Sequence, residues 1–186
     1  MNRPVAFLDS CVLYPFSLRD LLIQFAVDGL FQAKWSLQVR DQVIRNVESK
    51  NPTTRGKLDR TFDLMEKAIF EYSAEANAES MKLVSGSKTK PEDQKILAAA
   101  IAGNCSYLVT ANIKDFDLPF ALANGVKVTH PDDFLDSLIL NDPEVAESAF
   151  CKILKRWKNP PVTVEQYLKA LRANLLIKTA NRLAAF

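Results

Sequence analysis

Three acids stand out by position: Asp9 in Phe7-Leu8-Asp9-Ser10-Cys11, Asp93 in Pro91-Glu92-Asp93-Gln94-Lys95, and Asp115 in Asn112-Ile113-Lys114-Asp115-Phe116. Each falls at the edge of a predicted strand or helix. In an open α/β sheet the carboxyl ends of the strands share one edge, so acids distant in sequence can meet there. Converging carboxylates are how a protein holds a divalent cation. Asn112 follows a strand end onto the same edge, and the Thr110 hydroxyl could orient Asp9. Singly, each has a plainer reading: Asp9 as a helix or turn cap, Asp93 as an acid complementing a helix dipole, Thr110 as a strand-terminal threonine. The shared edge favours the chemical reading.

The elements that must position these residues follow from hydrophobic spacing. Val5 to Leu8 reads as a short buried strand, and Leu18 to Val27 as an amphipathic helix closed by Gly29. Ser36 caps a helix through Val39, Val43 and Val47 to about Ser49, which Asn51-Pro52 breaks. Thr53 or Thr54 starts another helix through Leu58, Phe62, Met65 and Ile69. Ser85 to Lys90 is a polar loop. The pattern then repeats: a helix from Glu92 to Ala102, a strand from Tyr107 to Thr110, and a strand from Val126 to Thr129. Right-handed crossovers between such strands give a parallel sheet flanked by helices. From Pro131 the chain reads as all helix, with breaks at Asn141-Asp142-Pro143 and Asn159-Pro160-Pro161. The expected fold class is α/β, with residues 1–140 as the body and 141–186 as a helical C-terminal extension.

Composition narrows the classes. A chain of 186 residues, 48% hydrophobic, can bury a core. No apolar run approaches about 20 residues, and Met1-Asn2-Arg3-Pro4 leads straight into a strand, so a cytoplasmic protein without a membrane span is expected. Cys11, Cys105 and Cys151 are widely spaced without a CxxC pair, which suggests neither disulfides nor structural zinc and predicts three small buried residues. The glycines are scattered singly, so no nucleotide-binding loop is indicated. Net charge is +2, but the tail is basic: Lys152, Lys155, Arg156, Lys158, Lys169, Arg172, Lys178 and Arg182 stand against Asp142, Glu144, Glu147 and Glu165. Such a tail fits contact with a phosphate backbone, or an ordinary solvated helix face.

The combination Leu-Asp-x-Cys-Val-Leu-Tyr-Pro, Asp-x-x-Ile-Leu-Ala-Ala-Ala-Ile and Val-Thr-x-Asn-x-x-Asp-Phe resembles PIN-domain ribonucleases, specifically VapC-type toxins of toxin-antitoxin systems. The resemblance runs nearly full length. It includes Arg19-Asp20-Leu21-Leu22, Trp35-Ser36, Arg45-Asn46, His130-Pro131-Asp132-Asp133-Phe134-Leu135 and the tail with Pro160-Pro161-Val162-Thr163. It implies a PIN-like fold over residues 1–140, Mg²⁺ or Mn²⁺ as cofactor, and endonucleolytic cutting of structured RNA such as tRNA or rRNA. A VapB-like antitoxin and a homodimer are implied as well. Asp9, Asp93 and Asp115 would be the metal carboxylates and Asn112 would orient a water or donate an oxygen. Metal-activated water would leave a 5′-phosphate and a 3′-hydroxyl. His130, the only histidine, cannot supply the acid-base pair of a metal-independent ribonuclease, and reads as part of a strand-to-helix turn.

One position departs from the family. The helix after Trp35-Ser36 usually carries a glutamate where this chain has Gln42, preceded by Asp41. Glutamine keeps the size and one acceptor oxygen but loses the charge. Asp41 points about 100° away on a helix, and Glu48 is expected to face solvent. Gln42 is then either a natural attenuation or an inactivating replacement. A catalytically weak PIN module that binds RNA or a protein partner is the alternative, as is a Rossmann-like binding domain whose acids are only caps. For an antitoxin helix, Leu21, Leu22, Phe25, Phe62 and Met65 are candidate groove residues, although core packing is the favoured reading for most of them at the same spacing.

Overall fold

The structure, a computed structural model, describes residues 3–158 and 161–186. Met1, Asn2, Asn159 and Pro160 lie outside these residues, and with them most of the break read at Asn159-Pro160-Pro161. The sheet has four parallel strands: β1 (Val5–Leu8), β2 (Gln32–Lys34), β3 (Tyr107–Val109) and β4 (Lys127–Thr129), in the order β2-β1-β3-β4. Ala6, Phe7 and Leu8 of β1 are fully buried because helices cover both faces of this central strand. Leu8 pairs with Val109, and Val109 with Thr129. That register brings Asp9 and Thr110, each one residue further on, side by side at the carboxyl edge.

The helices are α1 (Ser10–Leu13), α2 (Phe16–Val27), α3 (Leu37–Lys50), α4 (Lys57–Ala68), α5 (Ala78–Val84), α6 (Gln94–Ala102) and α7 (Leu118–Ala123) in the body. They continue with α8 (Pro131–Asn141), α9 (Pro143–Arg156), α10 (Val164–Ala173) and α11 (Ile177–Leu183). Ser36 accepts from the Val39 amide as the N-cap of α3, and Val39 and Val43 are buried. His130 is the N-cap of α8, its Nδ1 accepting from the Asp132 amide at 3.2 Å, which makes the Thr129-His130 turn structural. The fold is α/β and PIN-like, a parallel sheet flanked by helices with a helical C-terminal region.

The tail closes over the body as part of one hydrophobic cluster. Ala146, Ala149, Phe150 and Ile153 of α9 are buried, and α9 packs on α2. The Tyr167 hydroxyl of α10 donates to the Ser17 carbonyl at 2.8 Å. Asp132, itself buried, joins α8 to α11: one carboxylate oxygen accepts from the Thr179 amide and hydroxyl, both at 2.8 Å, and the other from the Lys178 amide at 3.0 Å. A carboxylate from a distant helix thereby satisfies first-turn amides that α11 cannot satisfy itself, since its own N-cap residue is Leu176.

Several expectations are corrected. Strand β2 and helices α1, α5 and α7 were absent from the sequence reading. The C-terminal run breaks once more between α10 and α11, where Leu175 takes a left-handed φ of 62°. Cys105 is buried, but Cys11 is half-buried and Cys151 is exposed. Glu48 does not simply face solvent: its carboxylate accepts from the Gly56 amide at 2.8 Å. Leu21, Leu22, Phe25, Phe62 and Met65 are buried in the core, as core packing at that spacing predicts, and the groove alternative falls. In the tail, Lys152 pairs with Asp28, Arg156 with Asp20, Lys178 with Asp133 and Arg182 with Asp136. Four of the eight basic residues thus already face acids of this chain. Among the described residues, no helix is long and apolar enough to cross a membrane.

Candidate active site

Asp9 ends β1 and caps α1, so the cap and the site are one residue. One of its oxygens accepts from the Ser10 amide at 2.6 Å and the Ser10 hydroxyl at 3.3 Å. The other accepts from the Thr110 hydroxyl at 2.7 Å and the Cys11 thiol at 3.2 Å. Thr110 is fully buried and accepts in turn from the Asn112 amide at 3.0 Å. A relay of hydrogen bonds therefore runs from the Asn112 loop through Thr110 to Asp9. Burial, and the nearby Asp9 charge, push the Cys11 thiol up to about 12, so it stays protonated and donates. Its sulfur also accepts from the Ala111 amide at 3.3 Å. Nothing in the sequence pattern marks Cys11 as part of this brace.

Asp93 occupies the N-cap position of α6, yet its carboxylate caps nothing. Partial burial first, then the charges of Asp9, Asp115 and Glu92, push it up to about 6. This is the signature of acids brought together. Asp115 lies on a 3₁₀ turn at Ile113–Asp115. Its buried Oδ1 has no hydrogen-bond partner among the described residues, although Lys90 Nζ stands 2.6 Å away. That contact is a close ion pair, which raises the Lys90 ammonium above its usual pKa. The Lys90 amide donates to the Asp115 carbonyl at 2.9 Å, and the Lys88 amide to the Asp117 carboxylate at 2.9 Å, so the polar 85–90 loop is fastened to this turn.

A cavity of about 280 Å³ opens between α3, α6 and the strand ends, lined by Asp9, Asp93, Gln42 and Asn112, with Glu92, Gln38 and Arg45 at its sides. Asp115 stands behind this lining, within electrostatic reach of Asp93 and held by Lys90. Helical spacing separates Gln42 from Asp41: Gln42 faces the acids, whereas Asp41 lines a neighbouring cavity. Glu92, Gln38 and Arg45 were missed in the sequence. The spacing of 38, 42 and 45, a polar stripe of α3 running beside buried Val39 and Val43, was the available signal.

The donor set suits a hard divalent cation. It offers the carboxylates of Asp9 and Asp93 and the amide oxygens of Gln42 and Asn112, and Asp93 is raised by burial and by the like charges of Asp9 and Asp115. Among the described residues no three acids, histidines or cysteines form a ready-made metal cage. The set therefore fits an ion that keeps several waters and takes one or two carboxylates directly.

Asp93 also dictates a pH dependence. Its carboxyl binds a proton more tightly in the folded chain than in the unfolded one, so stability from this group is present at low pH. It is lost as pH rises through about 6. Asp93→Asn is expected to raise Tm relative to the parent most at pH about 7.5 and by a clearly smaller margin at about 5, where the folded carboxyl is already protonated but the unfolded one is not. Equal Tm differences at both pH values would show that Asp93 does not feel Asp9 and Asp115.

Residues 131–185 match the family model of the VapC50 C-terminal domain. A protein of Mycobacterium tuberculosis (strain ATCC 25618 / H37Rv) named "Putative ribonuclease VapC50" is 31% identical over 90 residues, 48% of this chain and 53% of that protein. Over these parts of its length the chain is similar to VapC-type proteins. It spans about half the length of the curated relative it matches. No solved structure matches it. The matched C-terminal segment begins at α8, the helix that carries Asp132, and ends with α11, the helix Asp132 caps.

Proposed function

We propose that this VapC-like chain is a Mg²⁺- or Mn²⁺-dependent endoribonuclease, the toxin of a toxin-antitoxin pair acting on structured RNA such as tRNA or rRNA. The observation that carries the reading is the cavity joining Asp9 and Asp93 with Gln42 and Asn112, in which burial first, and then the charges of Asp9 and Asp115, hold Asp93 near 6. Asp9 and Asp93 would hold the metal, with Asp115 behind them and the Gln42 and Asn112 carboxamides offering oxygens. Bound there, the metal would acidify a water and offset charge on the scissile phosphate. The chain's own work is to fix Asp9 through Thr110, Cys11 and Ser10, and to let Asn112 orient the attacking water. Residues 1–140 would carry the chemistry and 141–186 would complete the fold. A VapB-like antitoxin would inhibit by setting an arginine among Asp9, Asp93 and Asp115, since a guanidinium matches carboxylates bidentately and competes with the metal. A homodimer is part of the same proposal.

Gln42 supports a second reading, a PIN module weakened in catalysis that binds RNA or a partner. Its neutral carboxamide faces the acids where a carboxylate would strengthen metal binding. One experiment separates the readings. Parent and Gln42→Glu are incubated with total RNA and Mn²⁺, and the cut ends are sequenced. The expected result is 5′-phosphate ends from both, with Gln42→Glu faster by about tenfold. No cleavage by either chain overturns the nuclease reading. Cleavage by Gln42→Glu alone establishes the weakened module.

A further inference from the structure

Beyond the acids, a second cavity of about 570 Å³ shares Gln38 and Arg45 with the first. The two lie on either side of the α3 face that presents residues 38, 41, 42 and 45. The far wall of the second cavity is Tyr72 and Ser73, and Lys95 enters from α6. Tyr72 is firmly placed. Its ring stacks on the fully buried Trp35 at 4.9 Å between centroids and 26° between planes. Its carbonyl accepts from the Trp35 amide at 2.9 Å, and the Ala74 amide returns a bond to the Trp35 carbonyl at 3.1 Å. This short pairing extends the edge of the sheet beyond β2 and fixes the aromatic platform.

Gln38 presents the complementary chemistry. Its Oε1 is buried and has no hydrogen-bond partner among the described residues, although the side chain lines both cavities. A buried acceptor left alone costs free energy, which an incoming donor would recover. Asp41 and Glu75 also line this cavity, so its charges roughly balance and it does not read as a phosphate site alone. Glu75 is already engaged, accepting from the Leu37 amide at 2.6 Å. An aromatic platform, a free amide oxygen and cations at the rim together match an unpaired nucleobase attached to its phosphate. Single-stranded RNA is recognised by stacking splayed bases on aromatic rings and bonding their edges.

We propose that this second cavity is a base-specificity subsite for a nucleotide flanking the cleaved bond. Its base packs against Tyr72 and gives an amino hydrogen to Gln38, while Lys95 and Arg45 hold the adjoining phosphate. The proposal rests on the reading of the chain as an RNA-cutting enzyme. An amino-bearing base is favoured over uracil, whose amino position is a carbonyl that would face the Gln38 oxygen.

The test is binding, without divalent metal so that nothing is cut. Fluorescein-labelled oligocytidylate and oligouridylate of about ten nucleotides are titrated with parent, Tyr72→Ala, Tyr72→Phe and Gln38→Leu, and anisotropy is read. The parent is expected to prefer oligocytidylate. Tyr72→Ala should weaken both ligands by about tenfold, as loss of one stacked base does, Tyr72→Phe should keep the affinity, and Gln38→Leu should erase the preference for cytosine. A Tyr72→Ala variant that stays folded by circular dichroism and binds both as tightly as the parent overturns the subsite and leaves the nuclease reading standing. So does a Gln38→Leu variant with unaltered preference. A parent that binds neither RNA overturns the subsite, while the nuclease reading is decided by the cleavage of total RNA described above. If these substitutions weaken only an antitoxin peptide, the cavity belongs to a protein partner and the proposal fails.

Discussion

Asp9→Asn is expected to reduce cleavage by about 100-fold or more, the scale at which removing one fixed electrostatic group is felt, and also to destabilise the fold. The second effect comes from the hydrogen bonds. Both carboxylate oxygens of Asp9 accept, one from the Ser10 amide and hydroxyl, the other from Thr110 and Cys11. An asparagine must turn its amino group toward one of these donor sets, inside a site where Asp9 is only 6% exposed. A loss of about 2 kcal/mol in urea unfolding is the corresponding expectation. Asp93→Asn should silence the site with the opposite sign in stability above pH about 6, because it removes repulsion rather than acceptors. Calorimetric Mn²⁺ titration and urea denaturation of both variants check the pair. Two variants with the same stability change would show that Asp9 is not braced as described.

A chain cut after Leu140 is expected to lose cooperative folding altogether. The cut removes Ala146, Ala149, Phe150, Ile153, Tyr167, Leu168, Leu171, Leu176, Ala180 and Leu183 from the buried cluster. At about 1.5–3 kcal/mol for each of the larger side chains, this loss is as large as the 5–15 kcal/mol that typically holds a domain together. It would also leave Asp132 buried against nothing and bare the α2 surface under α9 and α10. Asp132→Ala isolates one part of the effect and should cost about 3 kcal/mol, from two first-turn amides and a hydroxyl losing a charged acceptor. Near-ultraviolet circular dichroism with a thermal scan reads both variants. A sharp, parent-like transition in the cut chain would show that the tail is an ornament on a self-sufficient body.

What could be read from the sequence divides by mechanism. Strands β1, β3 and β4 are legible because short apolar runs meet turn signals at both ends. Strand β2 is only Gln32–Lys34, with a polar residue at each end, and it is a strand because β1 pairs with it. Helix α1 is a single turn, below the length at which periodicity can speak. The break between α10 and α11 carries no glycine or proline; Leu175 takes the left-handed turn itself. The site follows the same rule. Asp9, Asp93, Asn112 and Asp115 sit at element ends, where position alone raises suspicion. Arg45, Gln38, Glu92 and Tyr72 are polar or aromatic residues of ordinary appearance, and only the packing of α3 against α6 and the 72–74 segment gives them a shared cavity.

The ion pairs of the C-terminal helices fall into two kinds. Lys178 with Asp133 and Arg182 with Asp136 lie wholly within residues 131–185, the stretch that matches a family model of its own. Lys152 with Asp28 and Arg156 with Asp20 cross from that stretch to α2. If the stretch were transplanted between related chains, the first pair of contacts would travel with it and the second would have to be met by the recipient. Asp20 and Asp28, both largely covered, are therefore the two acids that a recipient body would have to supply to keep these contacts. A recipient lacking them would be left with unmatched cations against its second helix, however well the apolar surfaces agreed.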